Sequence, residues 1–461
     1  MWASLLRSGW RWLLLALLVG ALGAPVTAQG VRPPGDLLYA PRVVVDPDNQ
    51  IRASGGATVE VTRTGLRLTL PTVAEDAEQI VELRPASGWW DLRASNALRF
   101  RLRNVGLTPL TPLVQALSDN GPTDLVVGEP LAPGGVDEIV LPFDAYAPWQ
   151  GAPLAADEPP GALANTGTRF RSGEVTAIRL GADHAAPADL LVEQIVGFIK
   201  RTTPAPWLGS RPPVEGDWQF TLRDEFSGAR LNSDLWNTTG FNQWDPSSRF
   251  VPAQVTVRGG RATLRLQRAD SLPGAATGVG DESYVTGYLD TFDNFTQRYG
   301  YFEARVRLPR ASGLWVQVAL APDRGASAGD ARARTDTTTS GQEMTILEHL
   351  TVWGVNRYSL AARWGGWGER ARMIGSQYLY TTPDSEGFLT CGLLWLPDSL
   401  TWYCQGQPVG YWADPGITDL PAYPLITLTA GGWDRDLVDE TSLPATLEVD
   451  YVRVWQRADL R

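Results

Sequence analysis

From about residue 57 onward, apolar and polar side chains alternate along the chain. The runs Ala97-Leu-Arg-Phe-Arg-Leu-Arg103, Arg261-Ala-Thr-Leu-Arg-Leu-Gln267 and Tyr301-Phe-Glu-Ala-Arg-Val-Arg-Leu308 show the pattern most clearly. A period of two marks half-buried strands, because successive side chains on an extended backbone point to opposite faces. No convincing long amphipathic helix interrupts it. In the first half, strands are expected at Ala57–Val61, Leu66–Leu70, Gln79–Leu83, Ala97–Leu102, Val136–Leu141 and Val175–Leu180, enough for a two-sheet sandwich. The proline-rich stretch Thr202-Thr-Pro-Ala-Pro-Trp-Leu-Gly-Ser-Arg-Pro-Pro-Val-Glu-Gly216 breaks the alternation and reads as a semi-rigid linker over 201–216. It separates a β-sandwich over 36–200 from a second unit over 217–457. The polar stretch from Asp323 to Gly341 reads as a surface loop between two strand signals. The expected fold class is all-β, with two β-sandwich domains.

Composition narrows the function. The chain has 461 residues and a net charge of −11. That acidity argues against nucleic acid or an anionic membrane surface as the main partner. Two cysteines and two histidines are too few for a structural zinc site. The 19 tryptophans are the largest anomaly, and their flat apolar rings suit sugar faces as well as cores. At the N-terminus, Arg7 and Arg11 precede an apolar stretch from Trp12 to about Ala24 and the small-residue site Val26-Thr27-Ala28. The apolar run is shorter than the ~18 residues of a membrane span, so 1–28 reads as a cleaved signal peptide. No later segment predicts a span. The expected location is secreted or periplasmic. In an oxidising compartment Cys391 and Cys404 become disulfide candidates. They lie opposite each other if the hairpin turn centres on Pro397-Asp398, whereas one extra turn residue would put them on different faces.

The candidate chemistry sits in Gly341-Gln-Glu-Met-Thr-Ile-Leu-Glu-His-Leu350. Glu343 and Glu348 are five apart, so a regular strand would point them to opposite faces. One β-bulge between them restores a common face. Two such carboxyls can divide the work of a retaining glycosidase: one attacks the anomeric carbon while the other protonates the leaving oxygen and later activates water.

The surrounding motifs resemble glycoside hydrolase family 16. The carboxylate segment is similar to that family's E-[IL]-D-x-x-E signature. Asp224-Glu-Phe-Ser-Gly-Ala-Arg-Leu-Asn-Ser-Asp-Leu-Trp236, Tyr299-Gly-Tyr-Phe-Glu-Ala-Arg-Val-Arg-Leu-Pro309, Gly313-Leu-Trp315, Leu394-Trp-Leu-Pro-Asp-Ser-Leu-Thr-Trp-Tyr403 and Leu443-Pro-Ala-Thr-Leu-Glu-Val-Asp-Tyr-Val-Arg-Val-Trp455 follow in the family's order. The resemblance implies a jelly roll with a cleft across its concave face. It implies Glu343 as nucleophile and Glu348 as acid/base, and puts Thr345 where the family has an auxiliary Asp. Two further departures fall on Ala319, in place of an aromatic, and on Thr427, in place of an Asn. Trp315, Trp353, Trp364, Trp367 and Trp433 are the expected sugar-binding aromatics. No cofactor is required. Glu225 and Asp450 fall near positions where family members hold a structural calcium ion. The first unit loosely resembles the jelly-roll carbohydrate-binding-like modules attached to polysaccharide-degrading enzymes, with Trp89 or Trp90 as a sugar platform.

The leading expectation is therefore an exported endo-β-glycanase whose partner is a β-linked polysaccharide, either an agar-type galactan or a β-1,3 or mixed-linkage glucan. The segment Gln342–Glu348 and the first unit lean slightly toward the agarase-like branch. A non-catalytic polysaccharide-binding protein with a degenerate hydrolase fold is the alternative, and Thr345 and Ala319 motivate it. A purely structural envelope protein is a third reading.

Overall fold

The computed structural model describes residues 37–41, 43, 45–72, 78–151, 167–240, 247–272, 283–338, 341–366, 370–431 and 438–461. The expected signal peptide lies outside them. Among the described residues the fold is all-β: four sheets, a few single-turn helices, and no helix long and apolar enough to cross a membrane.

Two sheets of six strands each form the first sandwich. Leu66, Leu68, Leu70, Leu98, Phe100 and Leu102 enter its core from one sheet, and Val81, Leu83, Val114, Ile178 and Leu180 from the other. Two of its longest strands were not among the expected ones. In Thr111–Ser118 the inward positions hold Pro112, Val114, Ala116 and Ser118, while Leu113 and Leu117 stay partly exposed, so the usual polarity is inverted. In Ala188–Phe198 a bulge between Val192 and Gln194 breaks the period of two.

The second unit pairs an eleven-stranded sheet with a six-stranded one. The smaller sheet runs Tyr288–Asp290, Ala422–Ala430, Leu314–Pro322, Glu343–Leu350, Arg357–Trp364, Arg372–Tyr380. Its inner face contributes Val316, Val318, Leu320, Met344, Leu347, Tyr358, Leu360 and Ala362 to a core shared with Leu393, Trp395, Trp402 and Val454 of the larger sheet. The opposite face carries the polar residues of interest.

The two units interlock. Trp149–Gly151, within the first half of the sequence, pairs in parallel with the edge strand Gln407–Ala413 of the larger sheet. Trp149 is 3% exposed and belongs to the second unit's core. Tyr380 makes the reverse insertion: it joins the first core, accepts from the Ser172 amide at 3.1 Å and donates to the Phe170 carbonyl at 2.9 Å. The stretch expected to be a linker is seated on the second unit. Trp207 packs edge-on against Tyr301 and Tyr403, the Ala205 amide donates to the Gln405 carbonyl at 2.9 Å, and Arg453 donates to the Gly209 carbonyl at 2.6 Å. Prolines fix the extended path, and the half-buried indole anchors it.

The strands Leu389–Leu396 and Ser399–Cys404 pair in register with only Pro397 and Asp398 between them. Cys391 therefore faces Cys404, their Cα atoms are 4.2 Å apart, and the two form a disulfide. The bond closes a loop with a sequence separation of 13. Replacing both cysteines with alanine is expected to cost about 2–3 kcal/mol. Guanidinium denaturation measures it, and a loss below about 0.5 kcal/mol would mean the hairpin register holds without the bond.

Candidate active site

The strand Glu343–Leu350 lies in the middle of the six-stranded sheet, between Leu314–Pro322 and Arg357–Trp364. Its register jumps once. Thr345 pairs with Ala319, whereas Leu347 pairs with Val318 and Glu348 with Gln317. Ile346 is the extra residue of a β-bulge, and the bulge turns Glu343, Thr345 and Glu348 to one face. The Thr345 carbonyl, at the bulge, has a partner outside this sheet. Trp402, from the larger sheet, donates its indole N–H to that carbonyl at 2.8 Å across the core. A buried carbonyl without a partner would cost about 1–3 kcal/mol, so the tryptophan stabilises the bulge.

Arg363, directly opposite Glu343 on the next strand, joins the three outward side chains. Its Nη1 donates to Thr345 Oγ1 at 2.6 Å and lies 3.5 Å from Glu343 Oε1, while Nη2 donates to Glu348 Oε2 at 2.9 Å. One guanidinium thus spans both carboxylates. Gln317 donates to Glu343 Oε1 at 2.8 Å, and Trp315 Nε1 donates to Glu348 Oε1 at 3.1 Å. The Glu348 side chain has no accessible surface, whereas that of Glu343 is 15% exposed. Burial pushes the Glu343 carboxyl above its ordinary value; Arg363 and Gln317 pull it down, and the neighbouring Glu348 charge pushes it up. His349, on the inner face, donates its Nδ1–H to the Arg357 carbonyl at 3.0 Å, and burial pushes its imidazole down to about 4.

The aromatic candidates separate. Trp315 and Trp353 cluster with Leu350 at one end of this face, and the Arg357 guanidinium lies 4.6 Å from the Trp353 ring centre. Trp364 instead stacks on Trp412, centroids 5.6 Å apart and planes 13° apart, and packs against the core, so that face of its ring is already used. Trp367 and Trp433 lie outside the described residues. Ala319 is buried and pairs with Thr345, and Thr427 pairs with Gln317 and Tyr288. In the first unit, Trp89 is 53% exposed and Trp90 packs on the core.

The residues expected to hold calcium do not fit that ion. Glu225 accepts from Arg453 at 2.7 and 2.8 Å and from Arg223 at 2.9 Å. Asp450 accepts from Arg305 at 2.6 Å and lies 3.6 Å from Arg261. Arginines already neutralise both carboxylates and would repel a cation. Among the described residues no group of three or more His, Cys, Asp or Glu could hold a metal ion.

Sequence reading missed Arg363, Trp402 and Trp149. The first left a faint signal: Ser359, Ala361 and Arg363 alternate with core residues, so the arginine is the charged member of a small-residue face. Which strand it adjoins depends on sheet order.

Residues 250–453 match the family model of glycosyl hydrolases family 16. An endo-1,3-1,4-beta-glycanase of Rhizobium meliloti (ExsH) is 24% identical over 258 residues, which is 51% of this chain and 51% of the relative. A second from the same organism (EglC) is 26% identical over 216 residues, 46% of this chain and 41% of the relative. The chain thus spans about half the length, or less, of these curated relatives. Among solved structures, the laminarinase catalytic domain of Thermotoga maritima MSB8 is similar at 22% identity and a TM-score of 0.44, covering 52% of this chain and 98% of that one. Through residues 250–453, the chain is similar to glycosyl hydrolases family 16.

Proposed function

We propose that the chain is an endo-acting β-glycanase that cleaves β-1,3 or mixed β-1,3-1,4 glucans with retention of configuration. The observation that carries the reading is the pair Glu343 and Glu348, turned to one face by a single bulge and spanned by one guanidinium. Glu343, the more exposed of the two, attacks the anomeric carbon. Glu348 protonates the leaving oxygen, then takes a proton from the water that releases the sugar. The glycanase names of the relatives support a glucan over an agar-type galactan. The Cys391–Cys404 bond supports a site of action outside the cytoplasm, secreted or periplasmic.

The test incubates the protein with laminarin, lichenan and agar and follows new reducing ends and the anomeric form of the first products. New ends on a glucan, with the β-anomer released first, are expected. No new ends on any of the three would reject the glycanase reading.

One observation favours the alternative of a polysaccharide-binding protein. Glu348 has no accessible surface and is held by Arg363. That reading predicts retention on laminarin or lichenan columns without any new reducing ends.

A further inference from the structure

This inference deepens the glycanase reading and rests on it. We propose that Arg363 is a positioning residue that clamps Glu343, Thr345 and Glu348 at rest and must let go of Glu348 before that carboxyl can donate a proton. A guanidinium has five N–H donors and accepts nothing. Glu348 Oε2 receives Arg363 Nη2–H at 2.9 Å, and Oε1 receives Trp315 Nε1–H at 3.1 Å. A proton on either oxygen would have to share that oxygen with an N–H already aimed at it, so the clamp stands in the way of proton donation.

Thr345 completes the device. Its hydroxyl accepts Nη1–H at 2.6 Å, which anchors one arm of the fork without neutralising it. The fork is rigid and planar, so it releases Glu348 by pivoting as a whole about the Thr345 contact. An incoming sugar supplies the competing acceptors, its hydroxyl and ring oxygens. As Nη2 leaves, Glu348 takes one proton from solvent. That proton passes to the leaving oxygen as the glycosidic C–O bond breaks and the bond from Glu343 to the anomeric carbon forms. In the second step water attacks the anomeric carbon, the bond to Glu343 breaks, and Glu348 regains a proton from the water.

Other charged or titratable groups bear on the pair. Beyond Arg363, Tyr423 on the Ala422–Ala430 strand interacts with Glu343, and Tyr423 in turn feels Asp290, Asp323 and Arg334; Arg357, on Arg363's own strand, instead faces Tyr378 on Arg372–Tyr380. The Leu314–Pro322 strand itself presents Trp315 and Gln317, which do not titrate. All of these stay constant in the Arg363 variants below, so a shift there reports on Arg363.

The full chain, its Arg363→Met, Arg363→Lys and Thr345→Asp forms are compared for kcat and kcat/KM on lichenan across pH. Removing the cation favours the protonated form of both carboxyls, so both limbs of the profile are expected to move up by about one unit or more in Arg363→Met. Arg363→Lys keeps the charge but not the fork: its limbs stay within about 0.3 unit of wild type while kcat falls. Thr345→Asp gives the guanidinium a third anion, weakening its hold on Glu348, and moves the basic limb up, so it carries the test if Arg363→Met does not fold. A purely structural role would lower kcat at every pH and leave the limbs in place, and that result overturns the proposal. A second readout does not need turnover. The carboxyl signals of the pair, identified by their loss in Glu343→Gln and Glu348→Gln, are titrated by carbon NMR in the wild type, Arg363→Met and Thr345→Asp. An unmoved combined titration overturns the clamp even if the protein cleaves glucan, whereas a shift with no activity on any glucan supports the clamp and rejects the glycanase reading.

Discussion

Trp149→Ala is expected to destabilise the protein by about 3–5 kcal/mol, although residue 149 lies outside the segment that matches the hydrolase family. The indole is 3% exposed and sits in the second unit's core, edge-on to Trp402 with ring centroids 6.1 Å apart. Its strand covers the edge Gln407–Ala413, which would otherwise present unpaired backbone groups. A Cβ at Gly151 would come within 2.8 Å of Trp149, Ile374 and Trp412, so the ring is packed at contact distance on that side. The loss should also reach the Glu343–Leu350 strand, because Trp402 donates to the Thr345 carbonyl at its bulge. Guanidinium denaturation of wild type, Trp149→Phe and Trp149→Ala measures the effect, with the phenylalanine form in between. A cost below about 1 kcal/mol for alanine would mean the first unit merely rests against the second.

The second large effect concerns the two glutamates. Glu343→Gln and Glu348→Gln are each expected to lower kcat/KM on glucan by about 10²–10⁴-fold or more, with the fold retained. The two losses should differ in kind. A good leaving group such as a nitrophenolate needs no protonation, so an activated aryl glycoside should recover most of the rate of Glu348→Gln. It should recover little for Glu343→Gln, where the attacking oxygen is gone. Equal recovery in both would sink the assignment of roles. The amide at 348 still accepts from Trp315 but turns an N–H toward Arg363 or loses that contact, so a thermal melt must accompany the kinetics. Wild-type rates in both variants would remove the pair from the mechanism altogether.

Much of this site was legible along the chain. The five-residue spacing of Glu343 and Glu348 in an apolar strand already calls for a bulge if both are to share a face, and the register places it at Ile346. The two residues Pro397 and Asp398 between paired strands set the register that brings Cys391 to Cys404. Where local pattern misled, the cause was equally local. The Thr111–Ser118 strand turns proline and serine inward and leucines partly outward, and Ala188–Phe198 loses its period at a bulge. The proline-rich stretch carries a linker's composition, but Trp207 ties it to a sheet.

The charge of the site was not legible. The chain specified the strands, the hairpin and the carboxylate pair, because each depends on residues within a turn or a strand of one another. It also recorded the loss of a charge at Thr345. The cation opposite that hydroxyl belongs to Arg363, on the next strand; the hydrogen bond on the bulge comes from Trp402 in the other sheet; and the ring behind Trp402 is Trp149, from the other half of the sequence. Their placement follows from sheet order and from which faces bury apolar area together. Those are properties of the whole packed molecule, and no periodicity within one strand encodes them.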